Sequence, residues 1–226
     1  LTSAGNLAVT QSVISLLNEQ LVEGLSPGAD NLFTVPSLYR AALLVGDAMR
    51  EVRRRDGAAL EESGSTFNAN FILGGQIGSE VPRLFHIYPE GNFIEATDDT
   101  PYFQIGEHKY GKPIIDRVAQ PTMRLGEAAK LALLSFDSTL RSNLSVGLPI
   151  DLLIYERDSL DVRRQKVAVQ CVAFDNALQE KLQQRDVGTN VGLKVQAGHL
   201  RAEQHAAPVG GDAEANQADL LERIDD

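Results

Sequence analysis

This chain has no tryptophan, two methionines and a single cysteine, Cys171. One cysteine excludes an internal disulfide and suits a reducing compartment, so a cytoplasmic location is expected. Four histidines and that cysteine are scattered without the short spacings of a metal site, and no metal or cofactor is expected. No apolar run approaches the ~20 residues that span a bilayer, and no signal peptide is visible. Basic residues are also short: 21 Lys and Arg stand against 31 Asp and Glu, a net charge of −10. That balance argues against nucleic acid or a membrane as a partner.

Much of the acidity is local. Residues 203–226 hold seven acids and one base, a net of −6, in an Ala/Gly/Asp/Glu background that reads as disorder. The remaining composition, 43% hydrophobic over 226 residues, is that of an ordinary globular protein. The organisation expected is one compact domain over 1–190 and an acidic tail over 191–226.

The chain is organised around residues 125–155. Leu125, Ala129, Ala132, Leu133, Phe136 and Leu140 recur at helical spacing, widened by Leu131 and Leu134. A polar hinge, RSNLSVG at 141–147, leads into PIDLLIY, an aliphatic run suited to a strand buried on both faces. Ser142, Asn143 and Ser145 thus sit where a helix hands over to a central strand. Earlier, a strand end runs into a turn at Gly5-Asn6, and a helix follows with Val13, Ile14, Leu17 and Leu21 inward. A second helix, N-capped by Ser37, buries Leu38, Ala41, Ala42, Val45, Met49 and Val52. Arg50, Arg53, Arg54 and Arg55 crowd its later turns, as a solvated helix end or subunit contact in preference to a nucleic-acid patch.

Strand signals then come in quick succession: 71–73, 82–88, 92–97 and 102–105. Gly74, Gly75 and Gly78 fall between two strands, so they read as a hairpin turn; a phosphate loop opens a helix. Residues 110–118 form a short helix, 165–172 a last strand holding Cys171, and 176–185 a charged helix. Helices in pairs around a strand-rich middle point to an α+β fold, with no alternating βαβ units.

Four motifs carry a resemblance. FILGGQIGSEVPRLFHIYPEGNF resembles the hairpin of proteasome β-type subunits, and TSAGNLAVTQ their "A-G-x-x-A" turn at the mouth of the active site. PYFQIGEHKYGKPIIDR resembles the Gly-led start of their third helix, and RSNLSVG their "R-D-x-x-S-G-G" hinge. Taken jointly over 3–160, with SFDSTLRSNLSVGLPIDLLIYERDS, the chain resembles Anbu, a bacterial proteasome-homologue family.

The resemblance implies an N-terminal nucleophile hydrolase fold, a four-layer αββα sandwich, and self-assembly into a ring-like or helical homo-oligomer acting on peptide or unfolded protein. Chemistry in such enzymes starts at an N-terminal Thr whose own amine manages the proton. The "S-A-G-N" turn follows the first strands of that fold, so the nucleophile is expected upstream of Leu1, on strands missing from an N-terminally truncated subunit. In that register Thr2 lies in the strand before the oxyanion turn and is not the nucleophile. By resemblance, the Gly5 backbone N–H points at the developing oxyanion, and Ser3 and Leu7 flank the substrate pocket. Ser142 replaces the hinge Asp and Ser145 matches the hinge Ser; either both hydrogen-bond the nucleophile's amine or both merely cap the helix end. Glu107 stands where proteasome subunits have Ser, and Val146-Gly147 replaces their second Gly pair.

A triad of Ser145, His86 or His108, and Asp137 or Asp151 lacks the G-x-S-x-G elbow such a nucleophile needs. The competing reading is a non-catalytic structural subunit of a proteasome-like assembly.

Overall fold

The computed structural model describes residues 1–22, 30–167 and 193–198. Two antiparallel sheets, each accompanied by helices, make up an α+β architecture. The first sheet has the order β1 (Thr2–Gly5), β2 (Ala69–Gly75), β3 (Arg83–Ile87), β4 (Phe93–Glu95). Its register is set by pairs such as Gly5 with Ala69 and Phe71 with Ile87. Side chains alternate across it as the pleat requires. Phe71, Leu73, Phe85 and Ile87 are buried on the face that packs with the first two helices, while Asn70, Ile72 and His86 lie half-buried on the other.

Helix α1 (Leu7–Val22) begins directly after β1 because Asn6 caps it: Asn6 Oδ1 accepts from the backbone N–H groups of Ala8 (3.0 Å) and Val9 (3.2 Å). Val9, Val13 and Leu17 turn inward, whereas Ile14, expected in that stripe, is 39% exposed. A 3.6-residue period places position 14 about 100° from position 13, off the narrow face that α1 offers the sheet. Helix α2 (Leu38–Glu62) buries every residue of its expected stripe, with Leu38, Val45, Met49 and Val52 each contributing roughly 1.5–3 kcal/mol of transfer free energy. Ser37 Oγ accepts from Arg40 N at 3.3 Å, and Glu80 reaches across to accept from Leu38 N at 2.8 Å. Gly74 and Gly75 close β2 ahead of the hairpin turn to β3, as expected.

The second sheet has the order β6 (Val162–Val167), β5 (Gly147–Tyr155), β7 (Leu193–Gly198). Helix α4 (Leu125–Ser142) lies against β7, and the short α3 (Lys112–Val118) packs on α4. In β5, buried Ile150, Leu152 and Ile154 alternate with half-buried Asp151, Leu153 and Tyr155, so the strand is fully buried on one face only. The most buried line of α4 is also not its most apolar one: Ala129, Leu131, Ser135 and Thr139 are buried, and Ala132, Leu133 and Phe136 half-buried. Gly111 explains this. A β-carbon there would collide with Ser135 Oγ, so α3 crosses α4 over its small polar residues.

Residues 102–105, read as a strand, are irregular. Tyr102 is held by Asp116 and Gln104 by the Glu107 carbonyl, local bonds that replace a ladder. Residues 193–198, placed by the sequence reading in the acidic tail, form β7 beside β5. The strand expected over 165–172 begins earlier, at Val162; its end with Cys171, the 176–185 helix and residues 199–226 lie outside the described residues. Among the described residues no helix is long and apolar enough to cross a membrane.

Candidate functional site

β1 is the edge of the first sheet among the described residues. Gly5 ends it at φ +119°, and a β-carbon there would collide with the Asn68 carbonyl, so only glycine fits this turn. The loop 104–108 comes close to the same strand: a β-carbon on Gly106 would lie 3.3 Å from that of Ala4. The next residue, Glu107, carries the central carboxylate of the site.

Glu107 Oε1 accepts from Lys109 N at 2.8 Å, and Oε2 accepts from Asn143 Nδ2 at 2.7 Å. The Lys109 backbone N–H, then the Asn143 carboxamide, hold this carboxyl below the usual glutamate range. Asn143 ends α4, its N–H donating to Thr139 O at 2.9 Å. Its Oδ1 accepts from both Ser145 N (2.8 Å) and Ser145 Oγ (2.5 Å). A continuous polar line therefore runs from Glu107 through Asn143 to Ser145, and the loop that carries Glu107 approaches β1 at Gly106.

Of the residues singled out in the sequence, Ser3 is half-buried within β1 and Gly5 closes it, while Leu7 is 60% exposed at the start of α1. Ser145 is exposed and bound to Asn143. Ser142 is exposed and makes no side-chain hydrogen bond among the described residues. The hydroxyl of Ser145 turns to an asparagine and not to a histidine, which leaves the paper triad unassembled. His108 bonds the Gly106 carbonyl from an exposed position. His86 lies on the half-buried face of the first sheet, bonded to Asn70 Oδ1 at 3.2 Å with Tyr88 and Phe103 against its ring, and burial pushes its pKa down.

Two features escaped the sequence reading. Asn143 is named in the hinge by its sequence position alone, but its bond to Glu107 spans 36 residues, which no local spacing reveals. The second is a cluster at α3: Lys112 Nζ bonds both Asp116 oxygens (2.7 and 2.8 Å), and Tyr102 OH donates to Asp116 Oδ1. Burial and then the Asp116 bond push the Tyr102 phenol up. The i,i+4 spacing of Lys112 and Asp116 was its only legible signal.

The arginines of α2 are engaged locally. Arg50 pairs with Asp47, Arg54 with Glu51, Arg55 with Asp56, and Arg53 approaches Glu90 at 3.9 Å. These pairs make an ion-paired, solvent-exposed helix face. A groove of about 420 Å³ between α1 and α2, with Ser12, Glu19 and Arg55 in its wall, shares no residue with the Glu107–Asn143–Ser145 line.

No protein-family model matches the chain, and no curated protein matches it. Solved structures do. Anbu from Hyphomicrobium sp. strain MC1 is 62% identical over 80% of this chain and 76% of its own, with a TM-score of 0.69. Anbu (ancestral beta-subunit) from Yersinia bercovieri is 52% identical over 81% and 73%, with a TM-score of 0.67. The helical assembly of the Anbu complex from Pseudomonas aeruginosa contains a chain 45% identical over 81% and 73%, with a TM-score of 0.69.

Proposed function

The chain belongs to the Anbu family, and from that footing we propose that it acts as a subunit of a self-assembled, proteasome-like threonine peptidase. The observation that carries this reading is the pairing of an edge strand ending in a turn that only glycine fits with a loop, approaching that strand at Gly106, whose Glu107 carboxylate anchors Asn143 and through it the Ser145 hydroxyl. In this reading the nucleophile is a threonine ahead of Leu1. The Gly5 N–H stabilises the oxyanion, a contribution typically of several kcal/mol. Ser3 and Leu7 line the pocket for the side chain preceding the scissile bond, and Ser142 and Ser145 receive the nucleophile's amine.

The fold in this reading is a four-layer αββα sandwich whose first sheet continues beyond β1. The side-chain bonds from Gln76 in the β2–β3 turn to Tyr155 at the end of β5 and to Asp158 just beyond it support stacked sheets. Self-association is supported by the assembled relative from Pseudomonas aeruginosa and by Phe33 and Leu144, which are 85% and 93% exposed. The position of Leu144, beside Ser145 and facing outward, also favours a second reading: a non-catalytic structural subunit whose hinge serves contacts between copies.

The test uses the full-length gene product in its assembled form, offered a peptide panel and a threonine-directed epoxyketone. The peptidase reading expects turnover and a covalent adduct on a threonine preceding Leu1. The absence of both turnover and adduct overturns it in favour of the structural subunit, and an adduct on Thr2 overturns the register assigned to Gly5.

A further inference from the structure

Hydrogen-bond chemistry alone fixes the orientation of the Asn143 carboxamide. The Glu107 carboxylate has no proton to offer, so the group 2.7 Å from Oε2 is Nδ2. The Ser145 backbone N–H can only donate, so the group 2.8 Å from it is Oδ1. That oxygen also lies 2.5 Å from Ser145 Oγ. A carboxamide oxygen carries no hydrogen, so the single hydroxyl proton of Ser145 sits in this bond. An ordinary serine hydroxyl donates or accepts as its surroundings ask; this one retains only lone pairs.

We infer that Asn143 is a positioning residue that, braced by Glu107, commits the Ser145 hydroxyl proton and so presents Ser145 Oγ to the site solely as a hydrogen-bond acceptor. The inference rests on the peptidase reading for its consequence. An acceptor-only oxygen receives an amine or ammonium group and rejects a carboxylate, which suits a nucleophile that uses its own amine as base. The anionic Glu107, by accepting from Nδ2, polarises the amide toward its oxygen and strengthens Oδ1 as an acceptor. Other charges nearby do not compete for Asn143: His108 bonds the Gly106 carbonyl, Lys109 offers Glu107 its backbone N–H, and Arg141 on α4 is paired with Asp137 at 3.1 Å.

The experiment compares wild type, Asn143→Ala, Ser145→Ala and the double variant as the assembled full-length protein. Peptide turnover is followed across pH, and amide hydrogen exchange is read at Ser145. Asn143→Ala is expected to lower kcat about tenfold with little change in KM. It should also shift the acidic limb of kcat/KM about half a pH unit downward, because the ammonium form loses an acceptor. Ser145→Ala should give the same shift, and the double variant no further one. Asn143→Asp keeps an acceptor for Ser145 but sets a second carboxylate against Glu107, so it should retain slow exchange at the Ser145 amide only at a pH low enough to protonate one of the pair, while Asn143→Ala loses it at every pH.

Additive losses with an unmoved pH limb would overturn the inference, since they describe a residue that only supports the fold. Should the wild-type assembly hydrolyse nothing, the peptidase reading falls and exchange alone decides the relay. Protection lost in Asn143→Ala then sustains it; unchanged protection overturns it.

Discussion

Gly46 of α2 and Gly91 of the turn before β4 meet backbone to backbone, so that a β-carbon on either would collide with the carbonyl oxygen of the other. Arg50, one turn along α2, seals the contact by donating to Gly91 O at 2.9 Å. Gly46→Ala should lower stability by about 2 kcal/mol despite the ~1 kcal/mol that alanine gains over glycine inside a helix. The melting temperature should fall by about 4–8 °C. Gly57 is the control on the same helix, because its β-carbon would meet only the flexible Arg53 Cγ at 3.4 Å. Gly57→Ala should raise stability by about 0.5–1 kcal/mol. Thermal melts of the two variants at one protein concentration check both signs.

Gln76 joins segments about 80 residues apart. Its Oε1 accepts from Tyr155 OH (2.7 Å) and Asp158 N (2.9 Å), and its Nε2 donates to Asp158 Oδ1 (2.6 Å). The bonds hold Asp158 in a left-handed conformation, φ 63°, that a non-glycine residue rarely adopts unaided. Gln76→Ala should cost about 1–2 kcal/mol in denaturant unfolding. Gln76→Glu keeps the acceptor but sets a carboxylate against Asp158. Its deficit relative to wild type should therefore widen as pH rises from 4 to 7, and a pH-independent deficit would refute the direct contact.

How far these contacts were legible in the sequence differs from element to element. The stripe of α2 was readable because its buried side is wholly aliphatic at helical spacing. The stripe of α4 misleads: Ser135 and Thr139 are 2% and 4% exposed, more buried than Phe136, because the crossing at Gly111 selects for size over hydrophobicity. Tyr102 and Ile105 have strand-forming side chains, yet their segment is ruled by partners on α3 and in the adjoining loop. The site divides the same way. Gly5, Ser142 and Ser145 stand out through motif resemblance, whereas the Glu107–Asn143 bond arises only when the chain brings two distant loops together.

Glu80 acts as a cap from outside its helix. Its Oε1 accepts from Leu38 N at 2.8 Å and from Ile77 N at 3.2 Å, placing a carboxylate at the N-terminus of α2 where the helix dipole is positive. Glu80→Ala removes the acceptor and the charge, and should cost about 1–2 kcal/mol. Glu80→Gln retains an oxygen for both N–H groups and should recover roughly half of that. Urea denaturation of the three proteins decides the matter: equal losses in both variants would mean that the charge, and not the acceptor, dominates.

His86 sets the pH dependence of the first sheet. Burial beside Tyr88 and Phe103 disfavours the imidazolium, so its pKa in the folded chain lies below the ordinary value of about 6.5. The unfolded chain therefore binds the proton first as pH falls, and stability must rise with pH across this window. The contribution is complete above the unfolded pKa, declines as pH drops below it, and levels off beneath the folded pKa. Carboxylates with lowered pKa values, such as Glu107 and Asp116, act below pH 4.5 and leave the window from 5.5 to 8 to histidine. His86→Gln keeps a polar partner for Asn70 but does not titrate. Unfolding free energies at pH 5.5 and pH 8, with protein concentration held constant, should rise less between the two in His86→Gln than in wild type. An equal rise would assign the dependence to another histidine.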